Sequence, residues 1–144
     1  MPLFAHIMPT PDPDGDDHPF WDACRERRLC FQVCRQCGQA RHPPTPVCAR
    51  CLSFDAIWRE SAGKGTIYSY TIIHHASHPA VRDHLPYAVA LVEFDDTPGV
   101  RLVTNITGCP PAQLQIGQSV ALWWDALADG LWLPRFSPAG GSTP

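Results

Sequence analysis

The sequence predicts a mainly β protein with a short N-terminal helix, a small cysteine-paired ribbon and a five-stranded barrel. Three observations carry that expectation. Two Cys-x-x-Cys pairs, Cys34/Cys37 and Cys48/Cys51, stand ten residues apart. Five short runs rich in β-branched and aromatic residues follow between Thr66 and Phe136. Proline makes up 16 of 144 residues and gathers at the ends and in loops, which disfavours long helices. With 44% hydrophobic residues the chain can fill a core.

Residues 1–16 are rich in Pro and Asp, lack periodicity and read as a mobile tail. The second segment, 17–62, opens with a helix that Asp16 or Asp17 can cap and Pro19 can start. Its apolar face is Phe20, Trp21 and Cys24, which packs on the body or docks on a partner. Leu29, Phe31 and Val33 then alternate as a strand does and run into Cys34. Ala56-Ile57-Trp58 reads as the returning strand.

Ser61 to Gly65 reads as a flexible joint, and residues 63–138 as the barrel. Its strands are expected at Thr66–His75, Tyr87–Phe94, Val100–Thr107, Ser119–Asp125 and Leu131–Phe136. Pro110 to Gly117 can hold a helical turn. Five strands in so short a span favour a closed Greek-key OB barrel over a small sandwich, since closure removes exposed edges. From Ser137 the composition turns Gly- and Pro-rich, and 139–144 reads as a disordered tail.

A Cys-x-x-Cys turn aims two thiolates at one ion, and two facing turns complete a tetrahedron. Cys34, Cys37, Cys48 and Cys51 are therefore expected to hold one zinc. An iron centre and a dithiol redox pair are the rivals. Four thiolates leave no open position, so the ion is structural. Gly38 allows the first turn to close, whereas the second must close with Leu52. A ribbon this small has little core, and the ion is expected to supply much of its folding energy. Cys24, Cys30 and Cys109 read as small buried hydrophobes.

The formal net charge is −3, which gives no overall basic field for nucleic acid or acidic membrane. The charge is unevenly placed. Arg25 to Lys64 holds eight basic and three acidic residues, a net of +5, while Gly65 onward holds three and six, a net of −3. A barrel that binds single-stranded nucleic acid uses a basic, aromatic-lined groove, and this barrel is acidic. That alternative function is disfavoured. Arg35, Arg41 and Arg50 in the ribbon could instead meet the phosphates of a nucleotide-bearing cofactor, or serve only solubility and local ion pairs.

His74, His75, His78 and His84 crowd one loop without a recognised catalytic motif, so they read as loop or interface residues rather than a stand-alone active site. Trp123 and Trp124 are neighbours in a strand, so only one can enter the barrel. The other meets solvent, the ribbon or a partner protein. No run is long and apolar enough to span a bilayer, and Met1–Asp17 lacks the pattern of a signal peptide. Together with the cysteine usage this points to the cytoplasm.

The order of parts resembles the family once listed as domain of unknown function thirty-five. The resemblance rests on Phe20-Trp21, Cys34 to Gly38 with Cys48 and Cys51, and Arg41 to Pro44. It continues through Gly65 to Thr71, Leu85-Pro86-Tyr87 and Leu114 to Val120, covering roughly residues 18–138. It implies a rubredoxin-like zinc ribbon beside an OB-fold. It also implies a non-catalytic accessory subunit of thiolase-like, hydratase or aldolase enzymes in acyl-CoA metabolism, touching the CoA portion of the substrate. On that reading Phe20, Trp21, Trp123 and Trp124 are candidates for the partner interface. Arg35, Arg41 and Arg50 are the candidates for CoA.

Overall fold

The computed structural model describes residues 2–4, 8–12 and 14–140. The helix α1 spans His18–Arg25. Pro19 sits in its first turn, as expected, but the Asp17 carboxylate does not cap the helix. It accepts a 2.8 Å hydrogen bond from the Trp21 indole instead. Phe20, Ala23 and Cys24 form the buried face, and Trp21 is half-buried.

The ribbon is a three-stranded antiparallel sheet of β1 (Cys30–Cys34), β2 (Ala40–Arg41) and β3 (Ala56–Glu60), in the order β2-β1-β3. The short β2 has too few residues to show a period. Strand β1 is buried along its whole length, not on alternate residues. It lies between two partner strands, and both of its faces are covered.

The barrel strands are β4 (Lys64–Ile73), β5 (Tyr87–Phe94), β6 (Arg101–Ile106), β7 (Ser119–Ala126) and β8 (Trp132–Pro138). They close in the order β4-β5-β6-β8-β7, the five-stranded Greek-key arrangement of an OB-fold. Tyr68 is an extra residue in β4 where its register with β5 shifts. It turns outward, with the Arg101 guanidinium 3.6 Å from its ring centroid. A 3-10 turn occupies Pro111–Gln113, within the predicted segment, and another at Pro79–His84 was not foreseen. No helix among the described residues is long and apolar enough to cross a membrane.

Ribbon and barrel share one core. Phe20, Leu29, Phe31, Val33 and Ala40 pack in the same cluster as Ile67, Val92, Phe94 and Phe136. Ring centroids step from Phe20 to Phe31 (6.4 Å), Phe94 (5.2 Å) and Phe136 (5.8 Å). This corrects the expectation of a ribbon almost without a core. The base of the ribbon is held by apolar burial, and only its cysteine turns stand beyond it.

The joint at Ser61–Gly65 is pinned rather than flexible. Ser61 Oγ and the Ala62 amide both donate to the Asp96 carboxylate, at 2.8–3.0 Å. Gly63 has φ +70°, and a Cβ there would come within 2.5 Å of Leu122. Glycine is needed at this position because the backbone lies against the barrel wall.

The ends also depart from the expected tails. Phe4 is buried against His84 and Tyr87, with centroids 5.5 and 5.2 Å away. The Leu3 amide donates to Asp125 at 3.0 Å. At the other end β8 runs through Ser137, which is buried, and the Ala139 amide still bonds to Ser119 O. The tail expectations for residues 1, 5–7, 13 and 141–144 lie outside the described residues.

Candidate metal centre and its surroundings

Strand β1 delivers Cys34 at its end, and the chain turns at once. The Gly38 amide donates to Cys34 O at 2.9 Å, and the Cys34 amide to Gln39 O at 2.9 Å. The second turn repeats this pattern. The Leu52 amide donates to Cys48 O at 2.8 Å, and the Cys48 amide to Ser53 O at 2.9 Å. Both closing residues are left-handed, Gly38 at φ +76° and Leu52 at φ +62°.

The two turns bring the sulfurs together. Cys34 and Cys51 Sγ lie 3.5 Å apart, and Cys37 and Cys48 Sγ 3.6 Å apart. All four fall within 4.8 Å of one another. Thiolates about 2.3 Å from a zinc ion form a tetrahedron with edges of roughly 3.8 Å, so the set fits zinc. Among the described residues no other His, Cys, Asp or Glu group converges in this way, the histidine loop included.

The backbone prepares the ligands. The Cys37 amide, with the Cys51 thiol and the Gln36 amide, pulls Cys34 down to about 6. The amides of Cys51 and Arg50 lower Cys48. At Cys51 the Ser53 amide favours the thiolate, but desolvation and the three neighbouring sulfurs outweigh it and hold the group at about 12. Four thiols so close cannot all ionise unaided, and a divalent cation removes that repulsion.

The remaining cysteines differ. Cys24 is buried, and burial, then Cys30, push it up to about 12. Cys30 is buried too and also raised by burial. Both behave as inert core residues. Cys109 is half-buried against the core, which corrects the expectation of full burial.

The three ribbon arginines are engaged in different ways. Arg35 pairs with Asp55 at 3.2 Å across the two turns, both side chains exposed. Arg41 Nη2 donates to Thr45 O at 3.0 Å, while its Nε and Nη1 are enclosed without partners. Arg50 is exposed in the second turn.

The aromatic candidates also separate. Phe20 is only 2% exposed and is spent on the core. Trp21 is tied to Asp17. Trp124 packs on the core, and Trp123 lies on the outer face, donating to Thr107 Oγ1 at 2.9 Å. Each is half-buried. In the loop, His78 Nδ1 accepts from the Ala80 amide and caps the 3-10 turn, and His84 meets Phe4.

Two features escaped the sequence reading. Leu52 and Phe54, beside the second turn, are 72% and 78% exposed. On the outer wall of the barrel, Arg135 bonds to Asp125 at 3.1 Å and to Asn105, and all three are buried. The ring of Phe4 lies over the guanidinium, 5.4 Å from its centroid. The pairing of Asp125 with Arg135 across adjacent strands is set by tertiary register, which leaves no local pattern.

A four-cysteine ribbon whose core runs into a closed Greek-key barrel defines a zinc-ribbon and OB-fold protein. The profile of the ChsH2 rubredoxin-like zinc ribbon domain matches residues 21–55, and that of the ChsH2 C-terminal OB-fold domain residues 58–125. The chain is 32% identical over 95 residues to a DUF35 domain-containing scaffold protein of Methanothermobacter thermautotrophicus, covering 65% of this chain and 69% of that protein. The chain belongs to the DUF35 family. It is 48% identical over 133 residues to a probable enoyl-CoA hydratase alpha subunit of Thermomonospora curvata, covering 92% of this chain. It spans only 40% of that protein's length. Among solved structures it resembles a chain described as Ltp2-ChsH2(DUF35) aldolase, with a TM-score of 0.80 and 42% identity. That likeness covers 92% of this chain and 99% of the other.

Proposed function

We propose that this chain is a non-catalytic accessory subunit that binds a hydratase or aldolase partner in acyl-CoA metabolism. The observation that carries the reading is the likeness, along nearly its whole length, to the chain described as Ltp2-ChsH2(DUF35) aldolase. The similarity to one stretch of an enoyl-CoA hydratase alpha subunit supports it independently. Thiolase-like enzymes are a further class of partner under the same reading.

Zinc held by four thiolates has no position for substrate or water, so its task is to fix the two cysteine turns. The turns carry Arg35 and Arg50, with Arg41 at their base. Of the three, Arg50 is the exposed candidate for the phosphates of CoA, whereas Arg35 is committed to Asp55 and the unpartnered Nε and Nη1 of Arg41 are enclosed. On the barrel, Trp123 is the outward aromatic for a protein interface, with Trp21 beside the ribbon.

Affinity capture with the tagged chain from its own cells tests the proposal. Recovery of a hydratase, aldolase or thiolase-like subunit is the expected result. A chain that recovers none of these and shows no affinity for CoA speaks against it.

A further inference from the structure

The barrel is sealed unevenly. Strands β6 and β8 run parallel and pair only at Ile106 and Phe136. Towards their N-terminal ends the bridge is a side chain, Thr104 Oγ1 donating to Pro134 O at 2.8 Å. Helix α1 and the ribbon lie over this weak seam and leave a cleft of about 580 Å³. Trp21 and His42 line one side, Leu102, Val103 and Leu133 the other, and Pro9 to Pro11 the rim. Small-molecule sites commonly fall in the range of about 300–1,000 Å³, with mostly apolar walls and a few placed polar groups.

His42 is such a group. Its ring lies 4.7 Å from that of Phe20 and 5.6 Å from that of Phe31. Burial pushes the imidazole down to about 4, against a smaller opposite pull from Asp17, so it is neutral near pH 7. Nδ1 is enclosed without a partner. Nε2 is not enclosed in that way and makes no hydrogen bond within the described residues. A proton on Nδ1 would be a buried unmet donor, so the favoured tautomer carries it on Nε2. His42 lines the cleft, whose walls are mostly apolar.

The charges nearby favour a neutral ligand. Two arginines line the cleft, and both are engaged: Arg135 by Asp125 and Asn105, Arg101 by the Tyr68 ring and by Glu93 at 4.0 Å. An anion would find no free cation among the described residues of the wall.

We propose that this cleft is a binding site for an uncharged, largely apolar small molecule whose carbonyl oxygen accepts from His42 Nε2. The proposal concerns the chain alone and goes beyond its partnership.

The probe is 6-propionyl-2-dimethylaminonaphthalene, an uncharged aromatic ketone whose emission moves to the blue in apolar sites. Titrated into the zinc-loaded chain, it is expected to show a saturable blue shift at one site per chain. His42→Phe, which keeps the ring and removes the donor, is expected to weaken binding about fivefold. Val103→Glu is expected to weaken it more than tenfold while leaving zinc content and circular dichroism unchanged, because Val103 is 65% exposed. Unchanged affinity in His42→Phe overturns the carbonyl contact. No saturable shift, or unchanged affinity in both variants, overturns the site. A chain that captures its partner but fails this titration loses the cleft proposal alone.

Discussion

Leu52 repeats the backbone of Gly38: the two close matching cysteine turns with φ of +62° and +76°. Leucine resists this conformation because its Cβ crowds the following carbonyl, at roughly 1–2 kcal/mol. Leu52→Gly is therefore expected to raise the stability of the zinc-loaded chain by about 1 kcal/mol. Gly38→Ala is expected to lower it by about as much, through backbone strain alone, since nothing lies within 4 Å of a Cβ there. Thermal unfolding of the two variants measures both signs.

Removing the metal should loosen the turns and spare the body. The four sulfurs lie beyond the shared core, in which Phe31 and Val33 are at most 1% exposed. After chelation, hydrogen exchange is expected to quicken at the Gly38 and Leu52 amides, and Ile67 and Val92 to stay protected. Cys34→Ser should act in the same place. Loss of protection throughout the barrel would show that the ion holds the whole fold.

The Asp125–Arg135 pair is a liability when half of it is removed. Asp125→Ala leaves a buried guanidinium with one fewer partner, which costs about 3–5 kcal/mol in comparable sites. The double variant Asp125→Ala/Arg135→Met should recover most of the loss. Chemical denaturation of the two variants gives the difference. Phe4→Ala should also destabilise, because it uncovers the pair.

His42 links stability to pH. Its folded value of about 4 lies below the usual 6.5, so between these pH values the unfolded chain binds more protons. Stability is therefore full above about 6.5 and falls as pH drops towards 4, by an amount on the order of 2–3 kcal/mol. Asp17, the charged group acting on the ring, reduces the effect. Acid also releases the metal, so the comparison is with His42→Phe. Relative to His42→Phe, the chain with His42 should lose about that much unfolding free energy as pH falls across this window. A constant difference would contradict a buried neutral imidazole.

Much of this architecture is local and could be read from the chain. The Cys-x-x-Cys spacing fixes the sulfur set, and β-branched runs fix the barrel strands. What could not be read depends on distant parts meeting. Phe31 looks like one residue of an exposed ribbon until Phe94 arrives behind it. Ser61 to Gly65 has the composition of a hinge, but Asp96 and Leu122 hold it still. Phe4 sits in an N-terminal segment without periodicity and is buried because His84, Tyr87 and Arg135 form its seat. The cleft at the β6–β8 seam arises from a parallel pairing of strands, and no single segment encodes it.

The central claim is that this chain serves an enzyme and is not one itself. Reconstitution measures it most directly: the purified zinc-loaded chain is mixed with hydratase and aldolase subunits from the same source. Assembly mass and turnover of an acyl-CoA thioester are then recorded together. The account predicts a stable complex, with turnover that depends on the partner's catalytic residues and is absent from this chain alone. Turnover by this chain alone, or a chain that remains unassembled with every such subunit, would contradict it.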